Sequence, residues 1–177
     1  MIGFYTVVIV GYLFRHYIFT FTALRKSDES SDFDKNGFYE PSVSIVIPAR
    51  DEEKVIGQLL QGMTELTYSR EKLKEIIVIN DASSDATGQI AEEYSKRYSF
   101  IRVVHRDKKT GGKGKPSAIN SCLHLLTGVI VLFFDADYIP QIDIVEKLVR
   151  GFVNPKVGAI QGRPVVYNEP KNLVTKS

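Results

Sequence analysis

From position 41 onward, the hydrophobic positions of the chain alternate between two periods. Short apolar runs rich in β-branched residues predict buried strands at Val43–Ile47, Glu75–Asn80, Ile101–His105, Val129–Phe134 and Val157–Ile160. Apolar residues at helical spacing between them predict helices over 51–66, 86–97, 117–126 and 142–152. Strands and helices in this order are typical of βαβ units. We therefore expect an α/β fold whose mainly parallel sheet is flanked by helices on both faces.

The first predicted helix of this region carries acidic residues at its start. Asp51 is a residue type that caps helices. Glu52 and Glu53 would follow it in the first turn, where the helix dipole favours negative charge. The apolar face of the same helix runs from Val55 to Leu66. We expect the helix to begin directly after Asp51.

The first 24 residues form an apolar run in which Arg15 is the only formally charged side chain. About 20 apolar residues span a bilayer as a helix, so the run is long enough. Arg15 and His16 interrupt it near the middle. A charge there costs roughly 2.5–3.5 kcal/mol, which apolar neighbours can offset. We expect a transmembrane or membrane-associated helix over residues 1–24, with an interfacial or core helix as the alternative.

Charged residues beside this run predict its orientation. Arg25 and Lys26 follow it and no basic residue precedes it, so the positive-inside rule places the rest of the chain in the cytoplasm, at the cell membrane. Residues 25–40 are polar and acidic without a helical or strand period, which is typical of a linker. We expect one folded domain over residues 41–177.

The composition of the 177-residue chain narrows the classes of protein. Hydrophobic residues make up 44% and charged residues 25%, which excludes a disordered, collagen-like or wholly membrane-embedded chain. The formal net charge of +2 gives no reason to expect a nucleic-acid partner. Cys122 is the single cysteine, so no internal disulfide forms, which fits a reducing compartment. We expect Cys122 to be a buried, small apolar residue.

Acidic residues follow the predicted strands at the ends where open α/β sheets bind ligands. Asp135 and Asp137 come directly after the most apolar strand, and two positions apart in an extended chain their carboxylates point to the same side. Such oxygen ligands suit Mg²⁺ or Mn²⁺, and capping of the next helix is the alternative. Asp81 follows another strand and can accept hydrogen bonds from a base or ribose, with a turn or helix-capping role as the alternative. Asp85 is expected in a turn or helix cap.

A loop rich in lysine and glycine spans Lys108–Lys115 and can reach the same edge of the sheet. Its sequence TGGKGKPS departs from the phosphate-binding P-loop, because Lys109 occupies the first glycine position and Pro116 follows Lys115. Lys113 and Lys115 on a flexible glycine loop can still neutralise a diphosphate. An ordinary solvated basic loop is the alternative.

Five segments carry these candidate residues in order along the chain. They are PSVSIVIPARDEE at 41–53, EIIVINDASSDAT at 75–87, GKGKPSAIN at 112–120, FFDAD at 133–137 and GAIQGR at 158–163. Together they resemble the family 2 glycosyltransferases, which implies the GT-A fold, a Rossmann-like arrangement. The apolar amino-terminal run is similar to the membrane-associated branch of that family, which includes relatives of cellulose and hyaluronan synthases.

The resemblance also implies roles for individual residues. The residues that it places at the nucleotide site are Pro48, Ala49, Glu52, Asp81, Lys115 and Asp135. Asp81 would contact uracil and Lys115 the diphosphate, with Asn120 in the same basic segment. Asp137 would bind a divalent metal, Mn²⁺ or Mg²⁺, directly. Asp135 would touch the ribose or belong to the metal site.

The implied reaction moves a hexose from a nucleotide-diphosphate donor, in the first instance a UDP-sugar, to a saccharide or lipid acceptor with inversion. The metal, helped by Lys115, would stabilise the charge on the leaving diphosphate. Inversion needs a separate base, which the family carries downstream of the DxD motif together with a Gln/Arg-x-x-Arg-Trp segment. The chain has no Trp, and Glu169 is the only acidic residue after Glu146. We expect the amino-terminal part of a longer enzyme, with the catalytic base outside this chain.

The chain departs from the usual family pattern at two positions. Asp51 stands where the family usually has Asn, and Asn80 stands where it usually has Asp, which leaves Asp81 as the remaining acid at that strand end. Arg163, in the last of the five segments, either approaches the donor or acceptor or closes a strand end.

Two other functions are open from the sequence. A haloacid-dehalogenase-type phosphatase also carries DxD after an apolar strand, but it favours Thr or Val two residues after the second Asp, where Ile139 stands. The other alternative is a membrane-tethered fragment that binds the donor and has no transfer activity. Turnover with an added acceptor separates that fragment from a complete transferase.

Overall fold

The structure is a computed structural model that describes residues 2–26 and 39–162. The chain divides into two compact units, Met1–Gly37 and Phe38–Ser177. The described part of the first unit is one helix, α1 (Ile2–Lys26). Most of the polar stretch expected to be a linker lies outside the described residues.

Helix α1 has 25 residues, yet no helix within the described residues is both long and apolar enough to cross a membrane. The transmembrane helix predicted over residues 1–24 is therefore not supported. The reason lies in the composition of the run, because Arg15, His16 and several tyrosines and threonines dilute its apolar positions.

The second unit alternates strands and helices. Its elements in chain order are β1 (Val43–Ala49), α2 (Ile56–Thr64), β2 (Leu73–Asp81), α3 (Thr87–Arg97), β3 (Ile101–Arg106), α4 (Lys115–Asn120), β4 (Ile130–Phe133) and α5 (Ile144–Arg150). Short 3-10 turns follow α4 at Leu123–Leu125 and α5 at Gly151–Val153. The four strands lie in the order β3-β2-β1-β4, and every neighbouring pair is parallel. The predicted α/β fold with a parallel sheet is confirmed.

Alternate residues of each strand point to opposite faces of the sheet. Helices cover both faces, so both faces carry buried apolar residues. On one face, Ile45 and Ile76 pack with buried residues of α2, α3 and α5. On the other face, Val46 and Ile77 pack with α4 and with Cys122, which is fully buried. Burial raises the pKa of the Cys122 thiol. The expected apolar role of Cys122 is confirmed.

The predicted start of the first helix in this unit is wrong. Helix α2 begins at Ile56, and Asp51 has a φ of 55°, in the left-handed region that Asp tolerates better than most residues. The Asp51 carboxylate accepts hydrogen bonds from the N–H and hydroxyl of Ser84 (2.7 and 3.1 Å), in the next loop, so it caps no helix. The apolar face is confirmed by four buried residues: Ile56, Leu59, Leu60 and Met63.

Helices α4 and α5 are shorter than predicted. The hydrophobic period predicted helices over 117–126 and 142–152, whereas α4 ends at Asn120 and α5 ends at Arg150. Beyond α4, Leu125 still packs against the core, but it does so from a 3-10 turn. The apolar spacing therefore continued past the point where the helix stopped.

The last predicted strand does not form, because Val157–Ile160 has no regular structure and its residues are exposed or half-buried. Within the described residues, the sheet ends at β4, and no strand pairs with its outer edge. Val129, directly before β4, and Phe133, its last residue, are 78% and 49% exposed. A short apolar run forms a strand only where it can pair with a neighbouring strand and pack its side chains.

A buried carboxylate holds the turn before β4 against β1 and β2. Glu75 in β2 is 6% exposed and accepts hydrogen bonds from the hydroxyl of Ser44 and from the N–H and hydroxyl of Thr127 (2.9 and 2.7 Å). Gly128 passes so close to β1 that a Cβ there would lie 2.4 Å from the backbone nitrogen of Ser44. These contacts set the position of β4 beside β1.

Candidate functional site

The candidate residues gather at the carboxyl edge of the sheet, where parallel strands all end. Pro48 and Ala49 are the last two residues of β1, and Asp81 is the last residue of β2. We expected Pro48 and Ala49 to follow β1, but β1 extends through them. Strand β4 pairs with β1 only as far as Val46, so Pro48 lies where β1 has one neighbour, a position at which a sheet tolerates proline.

Asp81 is buried and paired with an arginine that the sequence analysis missed. Nη1 of Arg106 donates a hydrogen bond to Oδ1 of Asp81 (2.5 Å), and both side chains are 7% exposed. Nη2 of the same guanidinium donates to the carbonyl of Thr110 and to the hydroxyl of Ser117 (2.9 Å). Within the described residues, the buried Nε of Arg106 has no hydrogen-bond partner. Arg106 ends β3, so the strand-end rule that selected Asp81 also applied to it.

The basic loop lies against Asp81, as expected. A Cβ added at Gly111 would meet the Cβ of Ala82 at 2.8 Å and Oδ1 of Asp81 at 3.1 Å, so the loop backbone approaches this carboxylate closely. The loop is closed by Asp107, whose carbonyl accepts the N–H of Gly111 (2.7 Å). Hydrogen bonds from Thr110 hold the pKa of Asp107 below its usual range. The loop is exposed over most of its length, and the approach of Gly111 to Asp81 attaches it to the sheet edge.

Positive side chains face the acidic edge from this loop. Lys115, the first residue of α4, forms an ion pair with Asp135, and the two side chains are 48% and 63% exposed. A Cβ at Gly112, which has a φ of +73°, would lie 2.6 Å from Nη1 of Arg50. Arg50 therefore lies beside the same loop, and the sequence analysis also missed this residue. The structure brings Lys115 and Asp135 together directly.

The DxD motif lies in a turn and not in the extended chain that we expected after the strand. The N–H of Tyr138 donates to the carbonyl of Asp135 (3.1 Å), which closes the turn. Asp135 and Asp137 are exposed, and Ala136 between them is buried. Helix α5 begins at Ile144, so the capping alternative for these two aspartates is wrong.

Asp135 and Asp137 are the candidate metal ligands at this turn. Within the described residues, no three His, Cys, Asp or Glu side chains converge on a common point. Two exposed carboxylates, Asp135 and Asp137, suit a divalent cation that keeps further positions for water and phosphate oxygens, as Mg²⁺ usually does. A cation enclosed by protein ligands would not fit here.

Reciprocal hydrogen bonds lock the β1–α2 loop to the β2–α3 loop. The backbone N–H groups of Asp51, Glu52 and Glu53 donate, in that order, to side-chain oxygens of Ser83 (3.1 Å), Thr87 (2.8 Å) and Asp85 (3.0 Å). The Glu53 carboxylate accepts the N–H of Ala86 (3.0 Å) in return. Glu52, expected at the nucleotide site, is held beside the start of α3 through its backbone.

Asp85 has the turn role predicted for it. Its carboxylate accepts hydrogen bonds from the N–H and hydroxyl of Thr87 and from the N–H of Glu53. Partial desolvation raises the pKa of Asp85, but these hydrogen bonds outweigh it and the pKa lies below its ordinary value. Asp85 therefore stays charged in a structural position.

Asn80 faces away from Asp81. Its amide nitrogen lies 3.0 Å from Nδ1 of His105, whose Nε2 lies 2.8 Å from a carboxylate oxygen of Glu92 in α3. The side-chain carbonyl oxygen of Asn80 accepts the N–H of Ser83 (3.2 Å), so the departure from the family pattern at this position concerns contacts with β3 and with the β2–α3 loop. Among the other candidates, Asn120 is exposed at the end of α4, whereas Arg163 and Glu169 lie outside the described residues.

Sequence comparison gives a consistent family. The family described as Glycosyl transferase family 2 matches residues 44–177. The chain is 44% identical over 137 residues to the "Probable glycosyltransferase YdaM" of Bacillus subtilis. It is 38% identical over 136 residues to the beta-monoglucosyldiacylglycerol synthase of Trichormus variabilis. Each match covers 77% of this chain, and 32% and 29% of the respective relative. The chain thus spans about a third of the length of these relatives.

Solved structures resemble this chain as well. The mannosyltransferase PcManGT from Pyrobaculum calidifontis, in complex with GDP-Man and Mn²⁺, superposes with a TM-score of 0.63 at 31% identity, over 68% of this chain and 35% of that one. S. aureus TarS 1-349 in complex with UDP gives a TM-score of 0.54 at 27% identity, over 74% and 40% of the two chains. The parallel sheet flanked by helices is therefore GT-A-like, and the family match favours a transferase over the phosphatase alternative.

Proposed function

We propose, because this chain belongs to glycosyl transferase family 2, that the carboxyl edge of its sheet binds the nucleotide-diphosphate part of a sugar donor, a UDP-sugar. One observation carries the proposal: a buried carboxylate, Asp81, and a basic loop ending in Lys115 lie against each other at this edge, with Asp135 paired to that lysine. A nucleoside diphosphate needs both kinds of group, an acceptor for its base and cations for its phosphates.

The base and ribose would lie between the ends of β1 and β2. Asp81 can accept hydrogen bonds from the ring N–H of uracil, since an ionised carboxylate is an acceptor only. Pro48 and Ala49 end the neighbouring strand and can contact the nucleoside, and Glu52 is fixed beside them by its hydrogen bond to Thr87. Asp135 can reach the ribose from the end of β4.

The diphosphate would lie between the basic loop and the DxD turn. Lys115 is half-exposed and can turn from Asp135 to a phosphate oxygen, because four rotatable bonds carry its ammonium. Asp137, together with Asp135, would hold Mn²⁺ or Mg²⁺, which acts as a Lewis acid on the leaving diphosphate when bound. Structures of relatives that contain Mn²⁺ support this assignment.

The complete reaction would transfer a hexose to a saccharide or lipid acceptor with inversion. Relatives named beta-monoglucosyldiacylglycerol synthase and poly-beta-1,6-N-acetyl-D-glucosamine synthase support both acceptor classes. We assign the catalytic base, which would take the proton of the acceptor hydroxyl, to none of the described residues. The location at the cell membrane, with this domain in the cytoplasm, stays a prediction from Arg25 and Lys26.

The test is nucleotide binding to the 177-residue chain, measured by calorimetry. UDP and GDP are titrated with and without Mn²⁺ into the unaltered protein and into Asp137→Ala. We expect UDP to bind in the presence of Mn²⁺, and Asp137→Ala to lower the affinity at least about tenfold, equal to about 1.4 kcal/mol.

The matched control is Asp143→Ala, which removes the same charge from an exposed aspartate beside α5 and should bind UDP as the unaltered protein does. Tighter binding of GDP than of UDP would overturn the choice of base. A folded protein that binds neither nucleotide would overturn the proposed donor site.

A further inference from the structure

We propose that Arg106 is a positioning residue that sets the orientation of Asp81 and orders the basic loop, so that one guanidinium couples base recognition to diphosphate neutralisation. This inference rests on the proposed function for the nature of the ligand. The contacts that carry it join Arg106 to Asp81, to Thr110 and to Ser117. No motif in the sequence marks Arg106 for this role.

The first step concerns charge. The side chains of Asp81 and Arg106 are each 7% exposed, and a buried carboxylate without a partner is costly. Nη1 of Arg106 donates to Oδ1 of Asp81, which fixes the rotation of the carboxyl group. This hydrogen bond therefore sets the direction of the remaining acceptor positions of Asp81.

The second step concerns the loop. Nη2 of the same guanidinium donates to the carbonyl of Thr110, inside the loop, and to the hydroxyl of Ser117, in the first turn of α4. These two contacts lie on either side of Lys113 and Lys115, the candidate diphosphate ligands. Opening the loop would break the contacts that also orient Asp81.

A comparison of lysine with arginine at position 106 can separate the two roles, which are orienting Asp81 and ordering the basic loop. A lysine at position 106 keeps a positive charge for Asp81, but its single nitrogen cannot reproduce the planar fork that serves three acceptors at once. Arg106→Lys should therefore preserve the base contact and release the loop. Arg106→Gln removes the charge and should impair both.

The first measurement is limited trypsin digestion of the ligand-free chain. Cleavage after Lys108, Lys109 and Lys113 requires the loop to open locally. We expect Arg106→Lys and Arg106→Gln to be cut there at least about tenfold faster than the unaltered protein, because each loses contacts that close the loop. Arg102→Gln, an exposed arginine on the same strand, is the matched control and should be cut at the original rate.

The second measurement compares uridine, titrated by NMR, with UDP and Mn²⁺, titrated by calorimetry. For Arg106→Lys we expect uridine affinity within about twofold of the unaltered protein and UDP affinity about tenfold lower. For Arg106→Gln we expect both affinities to fall. A purely structural role would lower both affinities by the same factor in either variant.

The outcomes distinguish this inference from the proposed function. Unchanged loop cleavage in both Arg106 variants, or an unchanged ratio of uridine to UDP affinity in Arg106→Lys, would overturn the positioning role. If the unaltered protein binds neither ligand, the proposed function fails, and the cleavage rates still decide whether Arg106 orders the loop. Should Arg106→Gln fail to fold, Ser117→Ala removes one of the loop contacts without uncovering Asp81 and should also be cut faster.

Discussion

Two buried carboxylates lie at opposite ends of the sheet and are held in different ways. Asp81, at the carboxyl end, is paired with the guanidinium of Arg106, whereas Glu75, at the amino end, accepts hydrogen bonds from neutral groups of Ser44 and Thr127. Burial raises the pKa of Glu75, but these hydrogen bonds outweigh burial and leave the pKa below its ordinary value. The neutral donors bond most strongly to the ionised carboxylate, so pH acts directly on this contact.

At the residue scale, we predict that Glu75→Gln lowers the free energy of unfolding by about 1–3 kcal/mol at pH 7, because an amide offers N–H groups to donors that need acceptors. Since the folded pKa is below the unfolded value of about 4.3, the stabilisation is complete above that value and is lost as pH falls through the folded pKa. Urea unfolding at neutral pH and at steps below pH 4.3 measures both effects.

The control for this prediction is Glu93→Gln, an exposed residue of α3 whose loss should change the free energy of unfolding by less than about 0.5 kcal/mol. A difference between the unaltered protein and Glu75→Gln that grows on acidification would contradict the assigned direction of the pKa shift.

At the scale of elements, the approach of the β4 turn to β1 leaves no room for a side chain. Gly128→Ala would place a Cβ 2.4 Å from the nitrogen of Ser44 and 2.5 Å from the carbonyl carbon of Val43, so backbone must move. We expect a loss of about 1–3 kcal/mol, measured by thermal or urea unfolding. Gly57→Ala in α2, whose Cβ would meet nothing closer than 3.7 Å, should be neutral or stabilising. Equal stability of the two variants would contradict this.

Strands β1 and β2 were predictable because their burial on both faces leaves an almost unbroken apolar run in the sequence, whereas the apolar run at 157–160 forms no strand. The residues at which the helices begin and end were harder to predict. Leu125 continues the helical spacing of α4 but packs from a 3-10 turn, so periodicity could not show where the hydrogen bonding changed. Asp51 was misassigned because its acidic neighbours suit a helix start, whereas its partner Ser84 lies on another loop.

The candidate site was predictable residue by residue and not as a set of contacts. Asp81, Lys115 and Asp135 followed from strand ends and from the family pattern, and the structure brings all three to one edge. The strand-end rule could have selected Arg106, but its partners could not be predicted, because they are Asp81, 25 positions earlier, and Ser117, 11 positions later. Such through-space contacts appear only after the fold is known.

At the scale of the whole molecule, the described sheet ends in an apolar edge. Phe133 is 49% exposed on β4, and open edges of this kind invite pairing with other chains. We predict that Phe133→Lys reduces self-association of the 177-residue chain in sedimentation experiments over a range of concentrations, with unchanged circular dichroism. Val153→Lys, at an exposed apolar residue outside the sheet, is the control and should leave association unchanged. Equal association of Phe133→Lys and the unaltered chain would contradict the prediction.

The central position of β1 in the sheet has a consequence for folding during synthesis on the ribosome. Val43 pairs with Leu73 on one side and with Ile130 on the other, so its second partner leaves the ribosome long after the first. Synthesis at roughly 5–20 residues per second separates Val43 from Ile130 by about 4 to 17 s. During that interval one side of a buried strand is open to chaperones and to other nascent chains. The speed of translation between Val43 and Ile130 therefore sets how long the nascent chain is exposed to misassembly.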